Sequence, residues 1–276
     1  MATVTAPLPD RVGRPGVAVA RAARLGRGWR RWISPIAIVL LWELASKAGW
    51  LDPGTLAPPS DVISAARELL ANGELQHHLW VSLGRVVKGL TLGVAAGTAL
   101  ALLAGLSRLG EDLIDPPVQM IRTVPVLALT PLFILWFGIG ESTKVLLIAL
   151  GTTFPVYLNT FAGIRGIDTR LIDAARTLGL GRTAIIRQVI LPGALPGFLT
   201  GLRYSAGIAW LVLVVSEQIN TTAGIGYLVT EARGAFRTDV IVMCLVIYGL
   251  LGLLTDFAVR TIERRALAWR PTFVGV

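Results

Sequence analysis

The sequence predicts an all-α, polytopic membrane protein with six transmembrane helices. Three observations carry that reading. Of the 276 residues, 54% are hydrophobic and 16% charged, against about a quarter charged in soluble domains. The apolar residues fall into six runs close to the ~20 residues that a helix needs to cross a bilayer. The Lys and Arg residues, which set the net charge of +9, collect in alternate loops.

The elements follow in chain order. Residues 1–31 hold seven arginines and no apolar stretch long enough for a signal-peptide core. They read as a disordered basic tail, and the run behind them as an uncleaved helix. The apolar transmembrane region covers 32–270, with spans at Trp32–Trp50, Leu83–Leu106, Met120–Phe137, Lys144–Ile164, Pro196–Val215 and Val240–Val259. In the loop 51–82, Ser60 or Asp61 can cap a short helix that Asn72-Gly73 ends. In the loop 217–238, "TTAGIGYLVTEARGAF" reads as a small-residue turn followed by a short helix. Residues 271–276 form a C-terminal tail. Pro125, Pro131, Pro155, Gly93, Gly97, Gly105, Gly151 and Gly207 lie inside spans, where they serve either a transport cavity or close helix packing.

Basic residues fix the orientation. The N-terminal tail carries seven, the segment after the fourth span five (Arg165, Arg170, Arg176, Arg182, Arg187) and the C-terminal end four (Arg260, Arg264, Arg265, Arg270). The loop after the second span has Arg108, with Arg122 close by. The other three loops share Arg67, Lys144, Arg233 and Arg237. The positive-inside rule puts both termini in the cytoplasm. This distribution explains the positive charge without nucleic acid. The lone Cys244 lies in an apolar run and reads as a small buried hydrophobe.

The stretch "IDTRLIDAARTLGLGRTAIIRQVILP" is then the most basic internal loop, on the cytoplasmic side. Asp168 or Thr169 caps a helix over Arg170–Leu178, whose Leu171, Ala174, Ala175 and Leu178 recur at i, i+3, i+4 and i+7. Gly179 ends it by admitting a positive φ. A second helix over Arg182–Ile190 follows and stops at Leu191-Pro192. An apolar stripe of this kind asks for a groove to dock in, or for the membrane surface or the chain's own helices.

Asp173-Ala174-Ala175, then Gly179, Val189, Leu191 and Pro192, match seven positions of the EAA signature of ATP-binding-cassette (ABC) importer permeases, with Asp173 for Glu and Val189 for Ile. "VSLGRVVKGLTLG" (81–93), "VQMIRTVPVLALTPLFILWFGI" (118–139) and "SEQINTTAGIGYLVTEAR" (216–233) extend the resemblance over nearly all of 32–269. The sequence resembles the nitrate/sulfonate/taurine permeases, aliphatic sulfonate permeases most. That resemblance implies the type I ABC importer (MetI-like) permease fold and import of a small anion by alternating access, with taurine, nitrate, bicarbonate or pyrimidine precursors as other solutes. It implies a homodimer, two ATPase subunits that bind ATP and Mg on the cytoplasmic side, and an extracytoplasmic substrate-binding protein against 51–82 and 217–238. By the same analogy Ala174, Ala175 and Leu178 fill the ATPase groove, Asp173 and Arg176 contact its rim, Gly179 forms the elbow, and Leu191 and Pro192 close the segment.

No phosphate-cradling Gly-x-x-x-x-Gly-Lys-Ser/Thr is present: none of Lys47, Lys88 and Lys144 follows a glycine, so ATP hydrolysis is expected elsewhere. The sequence offers no cofactor, metal or catalytic set. Adjacent His77 and His78 point apart and read as a solvated or interfacial pair. Of the ionisable residues in or near spans (Glu43, Arg85, Lys88, Arg203, Glu217, Asp256), Arg203 and Glu217 are the candidates for the substrate pathway, Arg203 as a cation for an oxyanion or as a partner for another helix. A secondary transporter or channel would call for internal repeats, and neither it nor a membrane scaffold accounts for the 173–192 segment.

Overall fold

The computed structural model describes residues 33–219 and 221–269. The predicted basic tail, the first residue of the first span, Arg270 and the tail 271–276 lie outside the described residues. Among these, every regular element is a helix. The chain divides into two compact units, residues 1–60 and 61–276.

The first unit holds helix α1, residues 33–47. Ile36, Ile38, Leu40, Leu41 and Leu44 are all exposed, so apolar side chains surround the helix, as they do on one that faces lipid. Its fifteen described residues rise about 22 Å, short of the ~30 Å hydrocarbon core. Glu43 pairs with Lys47 at 2.8 Å and accepts the Ser60 N–H at 3.1 Å.

In the second unit, α2 (Pro59–Ala71) buries Val62, Ala65 and Leu69 along one face and gives way at Gly73, φ 82°. It starts at Pro59, so Ser60 and Asp61 lie in its first turn. Helix α3 (Glu74–Gly105) is 32 residues long, about 48 Å. Helix α6 (Glu141–Arg165) lies between α3 and α9 (Leu191–Glu217), its two most extensive partners. The α3–α6 contact runs along Gly89, Gly93, Gly97, Ala101 and Gly105, one ridge of small residues. A Cβ at Gly93 would overlap Thr152 Oγ1 and come within 2.5 Å of the Ala149 carbonyl. Apolar attraction between helices vanishes in lipid, so this approach supplies the packing contact. The packing role is therefore the one that Gly93, Gly97 and Gly105 fill. At Gly207 the space around a Cβ is open.

Helix α4 (Arg108–Ile121) begins at Ser107, whose Oγ accepts the Gly110 N–H at 2.9 Å. It lies against the end of α3, where Val118 joins Ala101, Ala104 and Tyr157 in one apolar cluster. Tyr157 donates to Asp115 at 2.9 Å. The predicted third span, Met120–Phe137, is not one helix. The chain breaks after α4, makes a 3₁₀ turn at Val126–Leu129 and resumes as α5 (Thr130–Phe137), with an 84° bend across the break. Pro125 disfavours helix at Val124 and offers no N–H, and Pro131 is placed in the first turn of α5, where its missing N–H costs nothing.

Helix α7 (Thr169–Thr177) leads to α8 (Arg182–Ile185), a π turn at Ile186–Ile190, and α9. Leu191-Pro192 was expected to stop the second short helix. Instead Arg182–Glu217 runs as one 36-residue helix. The π turn explains this. Leu191 N–H bonds back to Ile186 O, and the extra residue per turn shifts the carbonyl that the Pro192 ring would otherwise strike. Helices α10 (Ile225–Gly234) and α11 (Thr238–Ala266) complete the unit, α11 packed on α9 and α10 on α11. Among the described residues, four helices are long and apolar enough to cross a membrane: α3, α6, Arg182–Glu217 and α11. The bent α4–α5 pair makes a fifth crossing if it counts as one span.

Candidate functional site

The segment 165–192 folds as an elbow. Asp168 caps α7, accepting the Arg170 N–H at 2.9 Å. At the other end Gly179 (φ 80°) takes the left-handed position, with Leu180 N–H on Ala175 O at 3.1 Å and Gly179 N–H on Arg176 O at 2.9 Å. These two bonds form a Schellman cap. The predicted stripe splits in two. Leu171, Ala174 and Leu178 face outward, Leu178 with 79% of its surface exposed, whereas Ala175 is buried. On a helix of 100° per residue, Ala175 lies on the flank shared with Ile172 and Arg176. Those two line a cavity of about 350 Å³ with Leu106, Leu180, Ile185 and Ile186. Ala175 is thus a packing residue of the elbow rather than part of its free face. Asp173 and Arg176 are exposed and paired at 3.2 Å. Leu191 and Pro192 lie exposed in the continuous helix.

At the opposite end of α9, Glu217 closes a buried network. Its side chain is fully enclosed, and Arg85 on α3 is 3% exposed. Arg85 Nη1 donates to Glu217 Oε1 at 2.6 Å and to the Ala223 carbonyl at 2.7 Å. Ser82 Oγ donates to Glu217 at 2.7 Å, and Tyr248 OH on α11 does so at 3.3 Å. The Gly226 N–H donates to Oε2 at 2.9 Å, and the Ile225 N–H to Ser82 Oγ at 2.9 Å. Arg85 also grips Glu141 on α6 through Nε, at 2.7 Å, and Nη2. Gly224 sits against this cluster at φ 119°, where a Cβ would lie 2.5 Å from Glu217 Oε1 and 2.6 Å from Arg85 Nη1. Glu217, expected in the substrate pathway, is instead the anchor that holds α3, α9, α10 and α11 together. A carboxylate with four donors and no exposed surface has no face left for a solute. The histidines also part company. His77 is exposed, but His78 is buried, and its Nδ1 accepts the Gly224 N–H at 3.0 Å. Sequence reading missed Ser82, Glu141, His78 and Tyr248 as members of this network. The available signal was a pair of opposite charges, Arg85 and Glu217, each within an apolar run.

Arg203, the other expected pathway residue, pairs through Nε with Asp256 Oδ1 on α11 at 2.8 Å. The second oxygen of Asp256 takes Arg260 Nε at 2.6 Å. The alternative of pairing with another helix is realised, yet Arg203 and Asp256 remain 42% and 35% exposed.

The corner between α10 and α11 carries a strained residue. Phe236 has φ 56° and is the one non-glycine residue with positive φ among the described residues. It occupies the left-handed position of a second Schellman cap, with Arg237 N–H on Ala232 O at 2.9 Å and its own N–H on Arg233 O at 3.3 Å. Its ring is 90% exposed. Arg237 pins the corner by pairing with Asp239 at 2.8 Å and Glu68 at 2.9 Å. Those two hydrogen-bonded carboxylates raise the guanidinium pKa above its usual value.

Residues 89–267 match the family described as binding-protein-dependent transport system inner membrane component. The putative aliphatic sulfonates transport permease protein SsuC of Escherichia coli K12 is 48% identical, over 88% of this chain and 92% of its own length. The protein of the same description from Bacillus subtilis 168 is 44% identical over 90% of each chain. The taurine transport system permease protein TauC of Escherichia coli K12 is 35% identical over 86% of this chain and 88% of its own. Among solved structures, an inward-facing MetNI methionine ABC transporter chain superposes with TM-score 0.59 at 20% identity, over 68% of this chain and 94% of that one. A chain of an amino acid ABC transporter solved with histidines gives 0.56 at 22%, over 68% and 92%. The fold, the family match and the two sulfonate-permease relatives agree: the chain belongs to the inner membrane components of binding-protein-dependent transport systems, the permease subunits of ABC importers.

Proposed function

We propose that this permease subunit passes aliphatic sulfonates across the cytoplasmic membrane by alternating access, as one half of a homodimer whose two copies enclose the pathway. Both termini lie in the cytoplasm, on the side where the arginines collect. Two ATPase subunits bind ATP and Mg there and dock on the α7 elbow. A substrate-binding protein docks at the opposite end, against the α2–α3 turn and the α10–α11 corner. Phe236 supports that docking: a phenyl ring held in a strained conformation and left in the open serves what it touches. The sulfonate assignment rests on the two relatives at 48% and 44% identity.

The observation that carries the coupling role is the outward apolar face of α7. Leu171, Ala174 and Leu178 project from a nine-residue helix capped at both ends, flanked by the Asp173–Arg176 pair. Closure of the ATPase dimer moves the elbow, and the continuous helix behind it carries that motion into the membrane. Cys244, the one cysteine, is buried, so a cysteine introduced at Leu178 supplies the accessible thiol. It should crosslink to a cysteine in the groove of the ATPase. Failure to crosslink in every nucleotide state refutes the coupling role, and sulfonate uptake by the purified chain without an ATPase refutes the importer mechanism.

A further inference from the structure

Arg203 is the one charged residue between Arg187 and Glu217, and Asp256 the one between Asp239 and Arg260. Arg203 lies seven residues inside the predicted fifth span, Pro196–Val215, and Asp256 three residues inside the end of the sixth, Val240–Val259, which places the pair within the membrane toward its cytoplasmic side. An ion pair left half-exposed at that depth cannot face hydrocarbon. Its surroundings are also unlike a lipid face. Thr200, Tyr204 and Gly207 share its side of α9. Tyr204 is 63% exposed, and together with Asp256 and Glu263 these residues line a cavity of about 380 Å³.

We propose that Arg203 is a displaceable anion-binding station on the wall of the translocation pathway, one that takes the oxyanion head of a monoanionic solute such as a sulfonate. The proposal rests on the permease reading above and adds the residues that meet the solute inside the membrane. Arg203 spends only Nε on Asp256, and its two Nη groups make no hydrogen bond to a described residue. A guanidinium fork is the side chain best matched to two oxygens of a tetrahedral oxyanion. Release of Arg203 does not strand Asp256, because Arg260 holds its second oxygen. Arg203, Arg260, Asp256 and Glu263 together are neutral, so the fork of Arg203 rather than net charge holds the anion. Glu263, two turns further along α11, repels the anion and keeps its residence short, as transit requires. Tyr204 offers a hydroxyl group beside the fork.

The test uses the complete complex, permease with its ATPase and binding protein, in proteoliposomes, with ethanesulfonate as the solute. Arg203→Gln should lower maximal uptake about 10- to 100-fold, the loss of one charge-assisted contact, while ethanesulfonate binding to the binding protein is unchanged. Asp256→Asn should lower the half-saturating concentration and slow turnover, because nothing draws Arg203 off the bound anion. The charge swap Arg203→Asp with Asp256→Arg separates this role from a purely structural one: a structural bridge is restored by the swap, an anion station is not. Wild-type uptake by the swapped chain, or undiminished uptake by Arg203→Gln, overturns the proposal alone. Absence of uptake by the wild-type complex overturns the sulfonate reading and this proposal with it.

Discussion

Replacing Glu217 with Gln tests whether the buried carboxylate anchors the four helices. The change keeps size and removes charge. Ser82 Oγ, Arg85 Nη1, the Gly226 N–H and Tyr248 OH all point donors at Glu217. A glutamine offers one acceptor oxygen and turns an NH₂ toward the rest, so at least two donors lose their acceptor. Each buried donor left without a partner costs about 1–3 kcal/mol. Arg85 keeps Glu141, which limits the loss to about 3–5 kcal/mol, as for a broken buried pair. Cys244 reports the outcome directly. It is fully buried on α11, one turn before Tyr248, so a maleimide reaches it only when α11 opens. At about 1.4 kcal/mol per factor of ten, labelling in detergent should speed up about 10²- to 10³-fold in Glu217→Gln if opening is pre-equilibrated. Tyr248→Phe removes one long hydrogen bond to the carboxylate, 3.3 Å, and should raise it about tenfold. Labelling of Glu217→Gln within threefold of wild type would refute the anchor.

Four further outcomes follow from the same geometry. Gly224→Ala, which combines a left-handed φ with a 2.5 Å overlap on Glu217, should accelerate Cys244 labelling as strongly as the loss of the carboxylate. Gly93→Leu drives a side chain into the Ala149 carbonyl and should lower the thermal midpoint by about 6 °C or more, the size expected for about 3 kcal/mol of overpacking. Phe236→Gly should raise the midpoint by about 2–4 °C through relief of roughly 1 kcal/mol of left-handed strain, while ATP turnover stimulated by the binding protein falls; a lowered midpoint would contradict the strain argument. Leu178→Asp should leave the midpoint unchanged and abolish co-purification with the ATPase subunit.

The parts of the fold read most directly from the sequence are those governed by local chemistry. The runs that became α3, α6, α9 and α11 are apolar along their length, and Asp168 and Gly179 mark the ends of α7 through side-chain and backbone preferences of single residues. What was missed depends on partners remote in sequence or on compensation for a local penalty. Pro116 and Pro117 argue against a helix, yet α4 includes both, held by Tyr157 on Asp115 and by apolar contact with α3. Pro192 reads as a stop, yet a π turn lets the helix pass. Arg85 and Glu217 are 132 residues apart, and no periodicity announces that they meet. Phe236 occupies a site where Gly is the local preference, with Gly234 two positions too early. The candidate site divides in the same way. The elbow was visible as a motif, but the burial of Ala175 follows from the folded elbow, and the role of Glu217 from three other helices.

One helix joins the elbow, Arg203 and the Glu217 anchor. Arg182–Glu217 begins beside the elbow, carries Arg203 near its middle and ends at the Glu217 anchor. At 1.5 Å per residue its 36 residues extend about 54 Å. From Leu191 to Glu217 this rod is pressed against α6, closely at Gly197 and Gly201, and passes displacement along that length, while the π turn at Ile186–Ile190 is the place where it can flex. The Glu217 anchor fixes one end to α3, α10 and α11 through an ion pair and several hydrogen bonds, so that end moves only with them. The elbow end is lightly held, by apolar contact alone. A displacement at the elbow therefore becomes a tilt about the anchor, and Arg203, roughly 20 Å from Glu217, moves by about a third of an ångström for each degree. A tilt of only a few degrees changes the Arg203–Asp256 separation by about an ångström, enough to break a 2.8 Å hydrogen bond. On the roles proposed above, the geometry links docking at the elbow to the hold of Arg203 on an anion without requiring any helix to unfold.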